Sequence, residues 1–522
     1  MNSLAPAFTL TDSAAQPREF PTGRHALLIF VKEDCPTCTM SAPLIDAAGA
    51  AFGAEIDTWA ITQDYEGPGV FGARLPSGMP VLDDSALKVS FAYDLDTVPT
   101  VILAGPDGTK LTEFVGFGKA DWKHLFEQLA GLTGLPQPEV DWAPYPGMRP
   151  GCGSKSVEPG IAERLAAEAE GSPIRARRIE VGESDDLFEF MFDQGLTDGL
   201  PVVPPTPERV MRMLAGTKRD AQSVIAVCAP NMAPVTVEKA AINAVMAGCK
   251  PEYLPVVIAA VEAITTEQFN IHGVLATTHF PTPVLIVNGP IRNKIGMNMK
   301  MNVFGQGNRA NATIGRAVQL IVRNVGGGRP GEVDRCAMGH PGKYTFCFPE
   351  WEERSNWEPL HVERGFRAEE STVTVFAGGA PNPIIDQLSR DASSLAASYG
   401  LALQAVSHPK QYGYGEIVVA VSPEHVDTFA KDGWTKDQVR ARIQEVSSKP
   451  VRELTRDAFC AEGLTPETAA KLGPDTLLPK FRNPKDIFLV VAGGEAGKWG
   501  AYLTGWVSGP MGSIMTTVKI DD

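Results

Sequence analysis

The 522 residues carry 47 Lys and Arg against 62 Asp and Glu, a formal net charge of −15, with 43% hydrophobic and 21% charged residues. At about 150 residues per domain the chain has room for two to four domains of ordinary soluble composition. The acidic balance excludes general nucleic-acid binding and docking on an anionic membrane, and no apolar run reaches the roughly 18 residues of a membrane span.

The first segment, "MNSLAPAFTLTDSAAQ", has no basic start followed by an apolar core, so no secretory signal is expected. Eight cysteines are too sparse for a disulfide scaffold and suit a reducing, cytoplasmic setting. Residues 1–133 alternate strand-like runs ("ALLIFV", "EIDTWAIT", "TVILAG", "LTEFVG") with helical ones and close on the helix "KADWKHLFEQLAGL". Residues 134–174 follow as a linker. Its Pro/Gly density, in "GLPQPEVDWAPYPGMRPGCGSKSVEPG", predicts an extended connection, and a short charged helix, "IAERLAAEAEG", leads out of it.

The apolar run 26–31 ends just before Cys35-Pro36-Thr37-Cys38. A strand running into a helix there places Cys35 at the helix start, where unpaired N–H groups and the dipole favour a thiolate. Cys38, one turn on, is placed to attack a mixed disulfide at Cys35. Pro43 should kink the helix, and Val98-Pro99 precedes another strand, so that a cis Pro99 would face the dithiol and shape the docking of a peptide or disulfide. A zinc half-site is the competing reading, but residues 1–133 supply no second cysteine pair.

Dithiol, helix proline and cis-proline candidate in this order resemble the thioredoxin superfamily, and "LAPAFTLTD" is similar to its TlpA and peroxiredoxin-like branch. The resemblance implies a thioredoxin fold, an attacking Cys35, a resolving Cys38 and a redox-active CXXC disulfide. The sequence departs from the family at Asp34, where many members carry tryptophan, and in its Pro-Thr dipeptide, so redox potential and partner choice stay open.

Cys152 lies in "RPGCGSKSVEPG", with glycine on both sides. It reads either as an incidental surface thiol or as a redox residue that serves the large region and is regenerated by Cys35 and Cys38. Ser154 and Lys155 are expected to lower its pKa.

From 175 onward the chain reads as α/β, in two stretches, 175–370 and 371–522, of similar strand–turn–helix alternation. Asp198 opens the rigid "TDGLPVVPPTPERVMRML" and is a turn former or a substrate-orienting carboxylate. "NGPIRNKIGMNMKMNVFGQGNRANATIGRAVQL" crowds Asn288, Arg292, Asn308 and Arg309 between a strand and a helix. That density predicts an anion-binding loop, although it matches neither the P-loop nor the dinucleotide fingerprint. "VDRCAMGHPGKYTFCFPEWEERSNWEPLHVERGF" supplies Cys336, His340, Lys343 and Cys347. The Cys-x3-His-x6-Cys spacing suits either a metal or a thiol with a proton-shuttling histidine. Cys228 and Cys249 read as core thiols, and Cys460 as an incidental helix residue.

The stretches "DGLPVVPPT", "NGPIRNKIGMN", "GNRANATIGRA" and "GHPGKYTFC" resemble an uncharacterised bacterial family associated with UGSC-type (seleno)proteins. The motif itself departs here, since Cys152-Gly153-Ser154 is followed by Lys155. The expected function is a multidomain, thiol-dependent oxidoreductase. Its dithiol domain re-reduces a cysteine (Cys152, or else Cys336 or Cys347) that acts on a small substrate, and an external reductant of thioredoxin-reductase or glutathione type recharges the pair. No cofactor beyond the disulfide is expected. The rival is a hydrolase or lyase, with or without a metal, protected by the dithiol domain. Homo-oligomerisation is left open.

Overall fold

Six consecutive apolar residues, Ala26–Val31, are buried without exception in the structure, a computed structural model. Such a run belongs in the middle of a sheet covered on both faces. The structure describes residues 3–158, 161–179, 181–182, 186–509 and 511–521; Pro159 and Gly160, at the end of the expected linker, lie outside the described residues. The chain divides into two compact units, Met1–Ile179 and Glu180–Asp522.

In the first unit, β1 (Phe8–Thr11) and β2 (Pro17–Phe20) pair with each other. They are followed by β3 (Ala26–Val31), α1 (Pro36–Phe52), β4 (Asp57–Thr62) and β5 (Val81–Asp83). Next come β6 (Thr97–Val98), β7 (Thr100–Ala104), β8 (Lys110–Val115), β9 (Phe117–Gly118) and α2 (Lys119–Thr133). The main sheet has the order β5-β4-β3-β7-β8, parallel from β5 to β3 and antiparallel from β3 to β8. α1 packs on α2, whose Trp122, Leu125, Phe126 and Leu129 are buried at helical spacing.

Residues 134–174, expected as a linker, belong to this unit. Two short strands, β10 (Met148–Arg149) and β11 (Cys152–Gly153), pair antiparallel with β9 and β6. The prolines forbid a long strand but leave two-residue ladders on either side of Pro150-Gly151. The charged helix is α3 (Ile161–Ala169).

In the second unit two short helices, Leu187–Asp193 and Pro207–Leu214, precede a hairpin of β12 (Val224–Cys228) and β13 (Ala233–Thr236), then α4 (Val237–Ala247), α5 (Leu254–Ile264), β14 (Thr282–Asn288) and α6 (Arg309–Asn324). It continues through β15 (Cys347–Pro349), β16 (Thr372–Ile385), α7 (Ala392–Leu403), β17 (Ile417–Val421) and α8 (Lys436–Ser447). The pair β18 (Lys449–Pro450) and β19 (Leu477–Leu478) precedes β20 (Ile487–Val491), β21 (Trp499–Gly505) and β22 (Thr516–Lys519). One seven-stranded mixed sheet runs β15-β14-β16-β21-β17-β20, with β22 also on β16.

The expected division at 370 is therefore corrected, because strands from both sides of it share one sheet and one core containing Val284, Phe348, Phe376, Val418 and Leu503. The segment 384–400, whose composition reads as one helix, becomes helical only at Ala392. Ile384 and Ile385 finish β16 opposite Gly500 and Trp499, and Asp391 caps the helix from the Ser394 N–H. β21 occupies glycine-rich sequence that reads as a turn; a side chain at Gly500 would strike the Tyr399 hydroxyl, and one at Gly505 the Glu416 carbonyl. Neighbouring atoms therefore fix glycine there, and the strand still forms between β16 and β17.

Candidate functional site: a covered dithiol

Pro36 provides the first residue of α1, a position that needs no N–H donor, and Cys35 becomes the N-cap. Its Sγ accepts from the Cys38 N–H at 3.3 Å and lies 3.5 Å from the Val98 carbonyl, next to the cis Val98-Pro99 bond. The Cys35 thiol is lowered to about 5, chiefly because the Cys38 thiol hydrogen-bonds to its thiolate; burial opposes this, and the Cys152 thiol and the Cys38 and Thr37 N–H groups assist. Cys38 is pushed up by burial and then by the neighbouring Cys35.

Cys152, 117 positions after Cys35 in sequence, thus acts on the Cys35 thiolate, and it pairs with Val98, whose carbonyl Cys35 Sγ meets at 3.5 Å. Residues 147–157 form a strap that brings it there. The Thr37 hydroxyl donates to Pro150 O at 2.8 Å, the Lys119 N–H to Gly147 O at 2.9 Å, and the Ser154 N–H to Asp96 O at 2.8 Å. Cys152 pairs with Val98 and Gly153 with Thr97. At Gly151 a Cβ would lie 2.5 Å from Val98 O, so only glycine lets the strap approach this closely. Under this cover Cys35 and Cys38 are both 0% exposed, whereas Cys152 is half-buried.

The expected activation of Cys152 by Ser154 and Lys155 is corrected. Ser154 Oγ accepts from Gln63 Nε2 at 2.8 Å, and the Lys155 ammonium pairs with Asp64 at 3.2 Å. The Cys152 thiol is raised, by burial first and then by its contact with Cys35, while the charge of Lys32 works the other way. Lys32, buried at the end of β3 and 3.5 Å from Asp34, is a member of the site that sequence reasoning missed; its place at the end of the apolar run, three residues before Cys35, was the available signal. Gln63 and Asp64, which hold the strap, gave no such signal.

Sheet order, dithiol at the helix start and a cis proline opposite it occur together. The first unit has the thioredoxin fold. Among solved structures this chain is similar to the thioredoxin domain of a thiol-disulfide oxidoreductase from Bacteroides vulgatus (19% identity, 24% of this chain and 95% of that one, TM-score 0.22). It is also similar to a secreted Mycobacterium tuberculosis disulfide oxidoreductase homologous to E. coli DsbE (22%, 24% and 95%, TM-score 0.21). A third is peroxidoxin BcpB from Mycobacterium tuberculosis (18%, 26% and 96%, TM-score 0.22). These matches lie on the N-terminal quarter. No protein-family model and no curated protein matches the chain.

In the second unit the expected anion loop has a different role. Arg292, buried, spends its guanidinium on Gly289 O (2.8 Å), Glu350 O (2.8 Å), Glu352 (2.9 Å) and Glu353 (3.1 Å). Burial opposes ionisation of Glu353, but the Arg292 hydrogen bonds hold it down at about 2. Asn288 Nδ2 donates to Glu350 and Glu352, Arg309 donates to Gly248 O and Cys249 O at the end of α4, and Asn308 caps α6 and bonds Gly296 O. These side chains tie loops together, as amides and guanidinium groups do wherever backbone carbonyls lack partners. Cys347 is a core thiol inside β15, pushed up by burial, so the Cys-x3-His-x6-Cys spacing does not gather into one cluster. Among the described residues no group of three metal-ligating side chains forms. Cys228 and Cys249 are buried and raised to about 11 and about 12. Cys460 sits in a turn rather than a helix. Asp198, Cys336, His340 and Lys343 do come together, around a cavity of about 350 Å³. No described helix is long and apolar enough to cross a membrane.

Proposed function

We propose that the chain is a thiol–disulfide oxidoreductase in which the dithiol exchanges disulfide with Cys152 of its own strap and, through it, supports a small-molecule reaction in the second unit. The observation that carries this reading is that Cys35, the one strongly acidified thiol of the chain, touches the carbonyl of Val98, the residue that Cys152 pairs with across β6 and β11. The Cys35 thiolate attacks a disulfide R–S–S–R′, forming Cys35–S–S–R and releasing R′S⁻. Cys38 or Cys152, after losing its proton, attacks Cys35 Sγ and expels RS⁻, leaving an internal disulfide. An external dithiol restores both thiols and carries the two electrons in.

Burial disfavours the thiolate of both candidate resolving residues, but Cys152 is the more accessible and lies on a strap that can lift, whereas Cys38 is fixed in α1. Tethering holds Cys152 at an effective concentration no free thiol reaches. The test is oxidation of Cys38→Ser by oxidised glutathione, followed by peptide mapping under non-reducing conditions. A Cys35–Cys152 disulfide supports the exchange. A stable Cys35–glutathione adduct with Cys152 still reduced overturns it.

A further inference from the structure

The cavity in the second unit holds a cysteine that nothing in the dithiol chemistry uses. Lys343 Nζ lies 3.1 Å from Cys336 Sγ and 2.8 Å from Asp334, whose carboxylate also accepts from the Cys336 N–H at 3.3 Å. Asp334 is buried and Lys343 nearly so, which fixes the ammonium against the sulfur. That contact holds the Cys336 sulfur at the cavity wall. The pair is held by the tight turn that His340 caps through its Nδ1, and His340 is kept neutral at pH 7 by burial and then by the charge of Lys343.

The rest of the lining is mainly apolar: Ile271, Val274, Leu275, Val322, Met338 and the ring of Tyr344. Its charges do not balance. Asp198 is engaged by Arg316 through two 2.8 Å hydrogen bonds, and Asp334 by Lys343. Arg323 also lines the cavity, makes no hydrogen bond or ion pair among the described residues, and has its Nε buried without a partner. Arg329 acts against its charge and Asp198 and Glu332 in favour of it, but Asp198 is taken up by Arg316, so Arg323 has no carboxylate of its own within ion-pair distance among the described residues. An uncompensated, partly desolvated guanidinium calls for an anion.

We infer that this cavity binds small, mainly apolar carboxylic acids, with Arg323 holding the carboxylate and Cys336 acting as nucleophile toward an electrophilic carbon on the same molecule. The inference deepens the small-molecule half of the proposed function, and its test reads Cys336 in the fully reduced chain, so it stands or falls apart from the exchange at Cys35.

The probes are iodoacetate and iodoacetamide, nearly isosteric and differing in charge; each forms a Cys336 Sγ–CH₂ bond as the carbon–iodine bond breaks and iodide leaves. Alkylation is followed at each cysteine by peptide mass spectrometry, with Cys460 as the internal reference. The iodoacetate-to-iodoacetamide rate ratio at Cys336 is expected to exceed that at Cys460 by about tenfold, the size of one charge-assisted pair. Arg323→Gln should bring it to the reference value and Arg323→Lys should keep most of it. In the unmodified protein, butyrate should protect Cys336 and leave Cys460 unprotected. Equal ratios at the two cysteines, or no protection by butyrate, overturn the inference.

Discussion

Cys35 reports on its surroundings through its charge. Held at about 5 against an ordinary value of 9, it should show one thiolate's absorbance at 240 nm rising near pH 5 in the reduced chain, and Cys38→Ala should move that step upward. A lower pKa in the folded state means the thiolate stabilises the fold. That stability is complete above about pH 9 and is lost as the pH falls through about 5. Cys38 and Cys152 act in the opposite sense, since their raised values cost stability only above about pH 9. The reduced first unit should therefore be most stable near pH 8 to 9, measurable as a maximum in the urea midpoint against pH. Arg292 gives a second prediction at this scale. Arg292→Met leaves Glu352 and Glu353 without their cation and should cost about 2–4 kcal/mol in the second unit. A change in small-molecule affinity with unaltered stability would instead return Arg292 to the binding role suggested by its loop.

Among elements, the strap decides whether the dithiol can be reached. Gly151→Ala places a methyl group against Val98 O and Thr97, so β11 should lift from β6. Cys35 is then expected to react with a bulky aromatic disulfide at least about tenfold faster, the equivalent of losing roughly 1.4 kcal/mol of strap closure. An unchanged rate would mean that another element guards the thiol. The strap also marks where sequence reading stopped. The dithiol and the cis Val98-Pro99 were legible because a Cys-Pro-x-Cys directly after an apolar run and a Val-Pro before the next strand are local signals, whereas the helix expected to kink at Pro43 runs on from Pro36 to Phe52. Cys152 was legible as a partner of the dithiol, but the strap that holds it on the first unit was not, because short ladders flanking a proline leave no periodicity. The asparagine-rich loop misled for a related reason: donors that recognise a ligand and donors that satisfy carbonyls of neighbouring loops are the same residue types, and only the fold shows which acceptors they meet. β21 was hidden because its glycines are demanded by neighbours distant in sequence, Tyr399 and Glu416.

At the scale of the whole molecule, one hydrophobic core is built within Ala5–Leu129 of the first unit, and strands from both sides of residue 370 share another in the second. Calorimetry of the intact chain should show two transitions, and oxidation by glutathione should move only the one belonging to the first unit, since all three cysteines of the dithiol site lie there. A single transition, or a shift in both, would show that the units melt as one. The α/β class and the order of most elements were readable at this scale because long apolar runs and amphipathic helices are strong signals. The shared sheet was not, since strand order is set by long-range pairing.

β21 inserts between β16 and β17 although both precede it in the chain. On a ribosome adding about 5–20 residues each second, the first unit has every strand in hand once Gly153 emerges, while the second must wait for residues 499–505 to fill the centre of its sheet. For that interval β16 and β17 carry open apolar edges, which makes the nascent second unit a candidate for chaperone protection at a time when the thioredoxin-fold unit before it already has all its strands.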